Sequence, residues 1–271
     1  MTGAAGHKLD HLSPAASRLG AVFARPKVLA AVCVVGLAGL GWFALALQAA
    51  NVGMIGALCR ALASGQTTGT SVAVVAGMWA AMTLAMMLPS AAPMILTYAE
   101  IADTAARKGE PVVSPFVIAA SYTVIWLGFA AAATVVQLLF TRLTLLDANL
   151  TSASGLLSGV IFIVAGVYQF SALKHACLRQ CRQPFQFFFS NWQTTPRGVF
   201  GLGLRQGLYC LGCCWAMMLV MFAVGVMNVV WMAALGILMT IEKLGTGKRF
   251  SHAIGVGLIG IGLVFIVKTF V

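Results

Sequence analysis

Runs of 18 or more apolar residues recur along this chain of 271 residues, interrupted only by short polar or basic segments. A run of that length crosses the roughly 30 Å hydrocarbon of a bilayer as a helix, and inside lipid only a helix or a closed barrel pairs every backbone group. The fold expected is therefore all-α: a polytopic helical membrane protein. Only 8% of the residues are charged, so no soluble domain of useful size is left over. Residues 1–27 read as a basic N-terminal tail and residues 28–271 as one transmembrane helical domain.

The sequence predicts spans at 28–50, 71–98, 115–140, 153–173, 204–226, 228–243 and 253–270. The segment from Gly207 to Ile241 is too long for one span, and Gly225 and Asn228 offer a hairpin that divides it. Seven helices follow, with six as the alternative. Charge supports seven. With the N-terminus inside, Arg60, Arg142 and Lys268 are external and the other 14 of the 17 Lys and Arg residues are internal. Such a bias toward the inner side is the positive-inside pattern, and it places the N-terminus in the cytoplasm of a bacterial inner membrane. The net charge of +11 then meets anionic lipid headgroups rather than nucleic acid. Phe185, Phe187, Phe188, Phe189 and Trp192, after a basic stretch, read as a segment lying in the cytoplasmic interface. Gly255, Gly257, Gly260 and Gly262 suggest close helix packing in the last span.

Chemistry concentrates at Tyr209-Cys210-Leu211-Gly212-Cys213-Cys214-Trp215-Ala216-Met217. Cys210, Cys213, Cys214 and Met217 fall at i, i+3, i+4 and i+7, so four sulfurs share one helix face. Sulfur ligands select soft ions such as Cu(I). A second stripe, Met78, Met82 and Met86, lies on the expected second span. Pro89 should kink that helix just beyond it. Buried methionines also serve as fillers of apolar cores, and buried cysteines as small hydrophobes. Gly207 and Gly212 would let neighbouring helices approach the cysteine helix. On the expected topology both sulfur clusters lie in the inner half of the bilayer, where they could face each other.

Secondary candidates are His175, Cys177, Cys181 and Glu242. Cys177 and Cys181 sit in a basic loop whose cations favour thiolate, and hence metal binding or redox reactivity. Glu242 is one of only six carboxylates; a salt bridge with Lys174 or another inner-face cation accounts for it better than a metal ligand does. An odd, clustered set of seven cysteines argues against a disulfide framework. No phosphate loop, dinucleotide fingerprint, nucleophile elbow or HExxH is present, which points away from an enzyme.

These blocks resemble a widespread bacterial family of integral membrane proteins predicted to bind metal, the domain of unknown function 2182 family. The resemblance rests on Met78-Trp79 to Met82, Ala85 to Ser90, Leu173-Lys174 with Cys177 and Cys181-Arg182, Gly207 to Cys210 with Gly212 to Trp215, Gly225 to Asn228, and Glu242-Lys243. It implies metal binding and supplies no reaction. The reading that follows is a membrane protein that binds copper, as Cu(I), for transport, sequestration or delivery to a membrane cuproenzyme. The rivals are a membrane thiol oxidoreductase, for which Cys210 and Cys213 have C-x-x-C spacing, and an accessory subunit of a larger membrane complex with inert sulfurs.

Overall fold

The computed structural model describes residues 26–50, 69–146, 152–226, 228–245 and 247–270. The expected basic tail up to residue 25, Cys59 and Arg60 lie outside the described residues, as does the side chain of Cys33. The described residues form an all-α bundle with no strand; a single bridge between Leu146 and Ser152 is the only β pairing among them. In chain order the helices are α1 (Pro26–Ala50), α2 (Gly69–Arg107), α3 (Pro115–Arg142), α4 (Gly155–Tyr168), α5 (Ala172–Arg182) and α6 (Pro184–Ser190), followed by α7 (Pro196–Leu219), α8 (Met221–Val224), α9 (Val229–Leu244) and α10 (Lys248–Phe270).

Five helices are long and apolar enough to cross a membrane, or six if the bent pair α4–α5 counts as one span. The span expected at 228–243, α9, has 16 residues. At 1.5 Å per residue it rises only about 24 Å, which is why it falls short of a full span on length. The expected span at 153–173 also differs. It stops at Tyr168, and the chain turns by 63° into α5. Ser171 caps the new helix by accepting the Lys174 amide, which fixes the break. The hairpin expected at Gly225 and Asn228 is present. Gly225 takes φ 100°, a conformation open to glycine, and the Asn228 side chain caps α9 by accepting from the Trp231 amide.

Two prolines lie inside α2, Pro89 and Pro93. Proline has no amide hydrogen, so Pro89 strips the Ala85 carbonyl of its helical donor. Trp42 of α1 supplies a replacement, its Nε1 donating to that carbonyl at 3.0 Å. Next to Pro89, Ser90 Oγ donates to the Met87 carbonyl at 2.8 Å, and Tyr122 of α3 donates to the same carbonyl at 3.2 Å. The proline-containing helix is thus tied to both neighbours.

Small residues set the helix spacing. A methyl group on Gly207 would fall 2.8 Å from Ile125 of α3, and one on Gly212 would fall 2.6 Å from the Cys177 sulfur of α5. Both glycines expected to admit neighbours therefore do so, on opposite sides of α7. In α10, Gly255 and Gly262 face α4, while Gly257 and Gly260 face open space. The short helix α6 buries Phe187 and Phe188 and exposes Phe185 and Phe189, giving it one packed and one outward aromatic face.

Candidate metal site

The thiol face of α7 is buried. Cys210, Cys213 and Cys214 are each no more than 2% exposed, and their sulfurs lie within 4.8 Å of one another, close enough for one ion. Cys213 and Cys214 are 3.3 Å apart at sulfur, and Cys213 also donates to the Cys210 carbonyl at 3.2 Å. Every described cysteine is a free thiol.

Cys210 is the thiol with polar company. Lys243 of α9 places its Nζ 3.0 Å from the Cys210 sulfur and donates to Ser90 Oγ at 2.6 Å. The Tyr122 hydroxyl lies 3.0 Å from the same sulfur. A buried ammonium must be paired or hydrogen-bonded to persist. Here its partners are a hydroxyl on α2 and a sulfur on α7, so three helices converge on one atom.

Cys181 completes the set from α5. Its side chain lines the same cavity as Cys210. The expectation that Cys177 and Cys181 sit in a solvated loop is corrected. Both are helical, Cys177 is buried and Cys181 half-buried, because the bend after Tyr168 folds α5 against α7 at Gly212. Tyr168 fastens that fold by donating to the Gly212 carbonyl at 2.5 Å.

A cavity of about 170 Å³ opens beside these groups. Cys181, Cys210, Met94, Gln206, Lys243 and Arg182 are among the residues that line it. Met94 is the methionine on this wall. Met78, Met82 and Met217 are buried, as is Met86, which packs against Gly236 of α9 and faces a groove shared with Trp42 and Ala233. Ser90, Ala91 and Met94 turn toward the thiols instead. At four-residue spacing the stripe at 78, 82 and 86 runs on to Ser90 and Met94; Met86 meets Gly236 of α9, and one turn further Ser90 meets Lys243 of the same helix.

Glu242 pairs with Lys174 as the sequence suggested, at 2.7 Å and with both side chains buried. Its backbone carbonyl accepts Arg182 Nη2 at 2.7 Å and Nε at 3.0 Å. The carboxylate is thus occupied by an ammonium rather than aimed at the thiols. His175 is not beside the cysteines either. Its ring meets that of His252 at 5.4 Å between centroids, in a separate cavity. Sequence reasoning missed Tyr122, Ser90 and Lys243 as neighbours of Cys210. Lys243 carried a signal, a cation within an apolar helix; Tyr122 and Ser90 carried none.

Buried thiols, a thioether and a counter-cation inside an apolar helical bundle define a candidate soft-metal site in a protein of membrane-spanning type. The comparison with protein families is specific about the metal. The model described as PpoB2, copper chaperone, matches residues 76–265, and the chain belongs to that family. That description supports copper and does not carry the name of the family resemblance drawn from the motifs. No curated protein and no solved structure matches the chain.

Proposed function

We propose that this protein is a copper chaperone of the bacterial inner membrane, holding Cu(I) as cargo in the inner half of the bilayer and delivering it to a membrane cuproenzyme. The observation that carries the reading is the convergence of Cys181, Cys210 and Met94 on one cavity, with Cys213 and Cys214 directly behind Cys210. Thiolates hold soft ions far better than hard ones, and a neutral thioether adds preference for Cu(I) over Zn²⁺. Lys243 offsets the negative charge that two thiolates and one Cu(I) leave behind. Met217, on the same α7 face, and the stripe Met78, Met82 and Met86 supply further thioethers nearby in the bundle, to which the ion passes only after the thiols. The N-terminal tail is cytoplasmic, and residues 28–271 act as one membrane-spanning unit bounded by lipid.

The test is copper content. Protein purified in detergent without chelator should carry copper, and replacing Cys210, Cys213 and Cys214 together with Ser should abolish it. The variant should still insert, since its apolar spans are unchanged. Wild-type protein without copper above background, or a triple variant that retains it fully, would overturn the reading.

A further inference from the structure

The geometry points to an anionic thiolate complex of Cu(I), rather than the bare cation, as the form of cargo this site accepts, drawn in through a second, basic cavity. The inference rests on the copper reading above and concerns how the ion arrives. Beside the thiol cavity lies another of about 680 Å³, lined by His175, Arg179, Lys248 and His252, and Arg182 belongs to the walls of both. No carboxylate lines either cavity among the described residues. Glu242, whose carbonyl holds Arg182 in place, has its carboxylate on Lys174.

On this proposal the carrier meets Lys248, Arg179 and Arg182 in the basic cavity before Lys243 in the thiol cavity, Arg182 being the residue common to both walls. A cleft lined by one sign of charge between low-dielectric walls concentrates ions of the opposite sign. A free Cu(I) cation would be repelled along this whole path. A bis-thiolate complex carries one negative charge and would be attracted along it. His175 and His252 also line this basic cavity.

The transfer balances without a redox step. A complex of Cu(I) with two RS⁻ ligands meets the thiols of Cys181 and Cys210. Two Cu–S bonds to the carrier break and two to the protein form. Each cysteine proton passes to a departing thiolate, so two RSH leave. Copper stays Cu(I), and the net charge of −1 moves from the carrier complex to the protein complex, where the Lys243 ammonium faces it.

The experiment measures copper uptake by the full-length protein in a neutral detergent from two carriers. One is the Cu(I) complex of the tripeptide thiol glutathione, which is anionic. The other is the Cu(I) complex of thiourea, a neutral ligand, which is cationic. Arg179→Gln with Lys248→Gln removes two exposed charges outside the thiol site. Uptake from the glutathione complex should slow by about tenfold and lose its salt dependence, the low end of what electrostatic steering delivers. Uptake from thiourea should not slow, and final copper content should be unchanged. Arg179→Lys with Lys248→Arg should restore the fast rate. Equal slowing with both carriers, or none with either, overturns the inference. Failure of the wild type to take copper from either carrier overturns the copper reading instead.

Discussion

Two sulfur-rich helix faces in this molecule look alike in sequence and differ in what surrounds them. Met86, at the end of the methionine stripe of α2, has apolar company: it lies against Gly236, and the groove beside it is lined by Trp42, Ala233 and Ile237. The thiol face of α7 is equally buried yet meets Lys243, Tyr122 and Cys181 and borders a cavity. Burial therefore does not separate filler from site. The polar atoms held near the sulfur do, because each must be compensated inside the bundle and persists there only with a partner.

The comparison can be broken by experiment, and the largest effect should come from the charge pair that braces the thiol side. Lys174→Met leaves the Glu242 carboxylate buried without its ammonium. Loss of one partner of such a pair costs about 3–5 kcal/mol. Thermal unfolding in detergent should register a large drop. Lys174→Met combined with Glu242→Leu should recover most of it. A single variant as stable as wild type would mean that the pair braces nothing.

A smaller loss is expected at Gly212. Gly212→Leu drives a side chain into the Cys177 sulfur, and overpacking of this kind costs about 1–3 kcal/mol. Because α5 also carries Cys181, copper content should fall as α5 is pushed off α7. Gly257→Leu on α10, where a side chain meets open space, is the control and should leave both readouts unchanged. Copper retained fully by Gly212→Leu would show that α5 is not part of the site.

Tyr122→Phe keeps the ring and removes the hydroxyl beside Cys210. One hydrogen bond is worth about 1 kcal/mol, so copper affinity, read by competition with a Cu(I) chelator, should shift by less than tenfold. A loss as complete as that of the triple Ser variant would make Tyr122 a ligand rather than a neighbour.

The smallest effect sharpens the comparison most. Met86→Leu conserves volume and should cost less than about 1.5 kcal/mol, with copper content unchanged. Met94→Leu should be as stable but bind copper more weakly, since Met94 lines the thiol cavity. If the two variants lose copper equally, the contrast between the faces disappears.

Much of this architecture was legible in the sequence. Apolar run length reported the helices, Gly225 and Asn228 the hairpin, Gly207 and Gly212 the close approaches, and Lys174 with Glu242 a pair 68 residues apart. Each follows from a local rule: span length, left-handed backbone, absence of a Cβ, or the cost of a lone buried charge. The bend after Tyr168 was not legible, since hydropathy runs on through Phe170 and the turn depends on α5 docking against α7. That one bend converts Cys177 and Cys181 from loop residues into buried helical ones. The orientation of α2 was hidden for a related reason. Helical spacing tells which side chains share a face, and Met78, Met82 and Met86 do, but it leaves open which neighbour the face meets. Prolines at 89 and 93 add a further twist that spacing rules do not describe.

The hydrogen bond from Trp42 to the Ala85 carbonyl gives the first helix a part in a site that none of its described side chains lines. A carbonyl deprived of its donor by proline, surrounded by hydrocarbon, is expensive to leave bare, on the order of several kcal/mol. Trp42 is the splint that makes the missing hydrogen bond at Pro89 tolerable, one turn before Ser90 and Met94 reach the thiol cavity. Set the splint aside, by truncating the first helix or by Trp42→Phe, and the break loses its support from one side only. The lower half of α2 would then drift from Lys243 and Cys210 while every cysteine stayed in the chain. A helix none of whose described side chains lines the thiol cavity is, in this sense, the hand that holds the site's far wall in place.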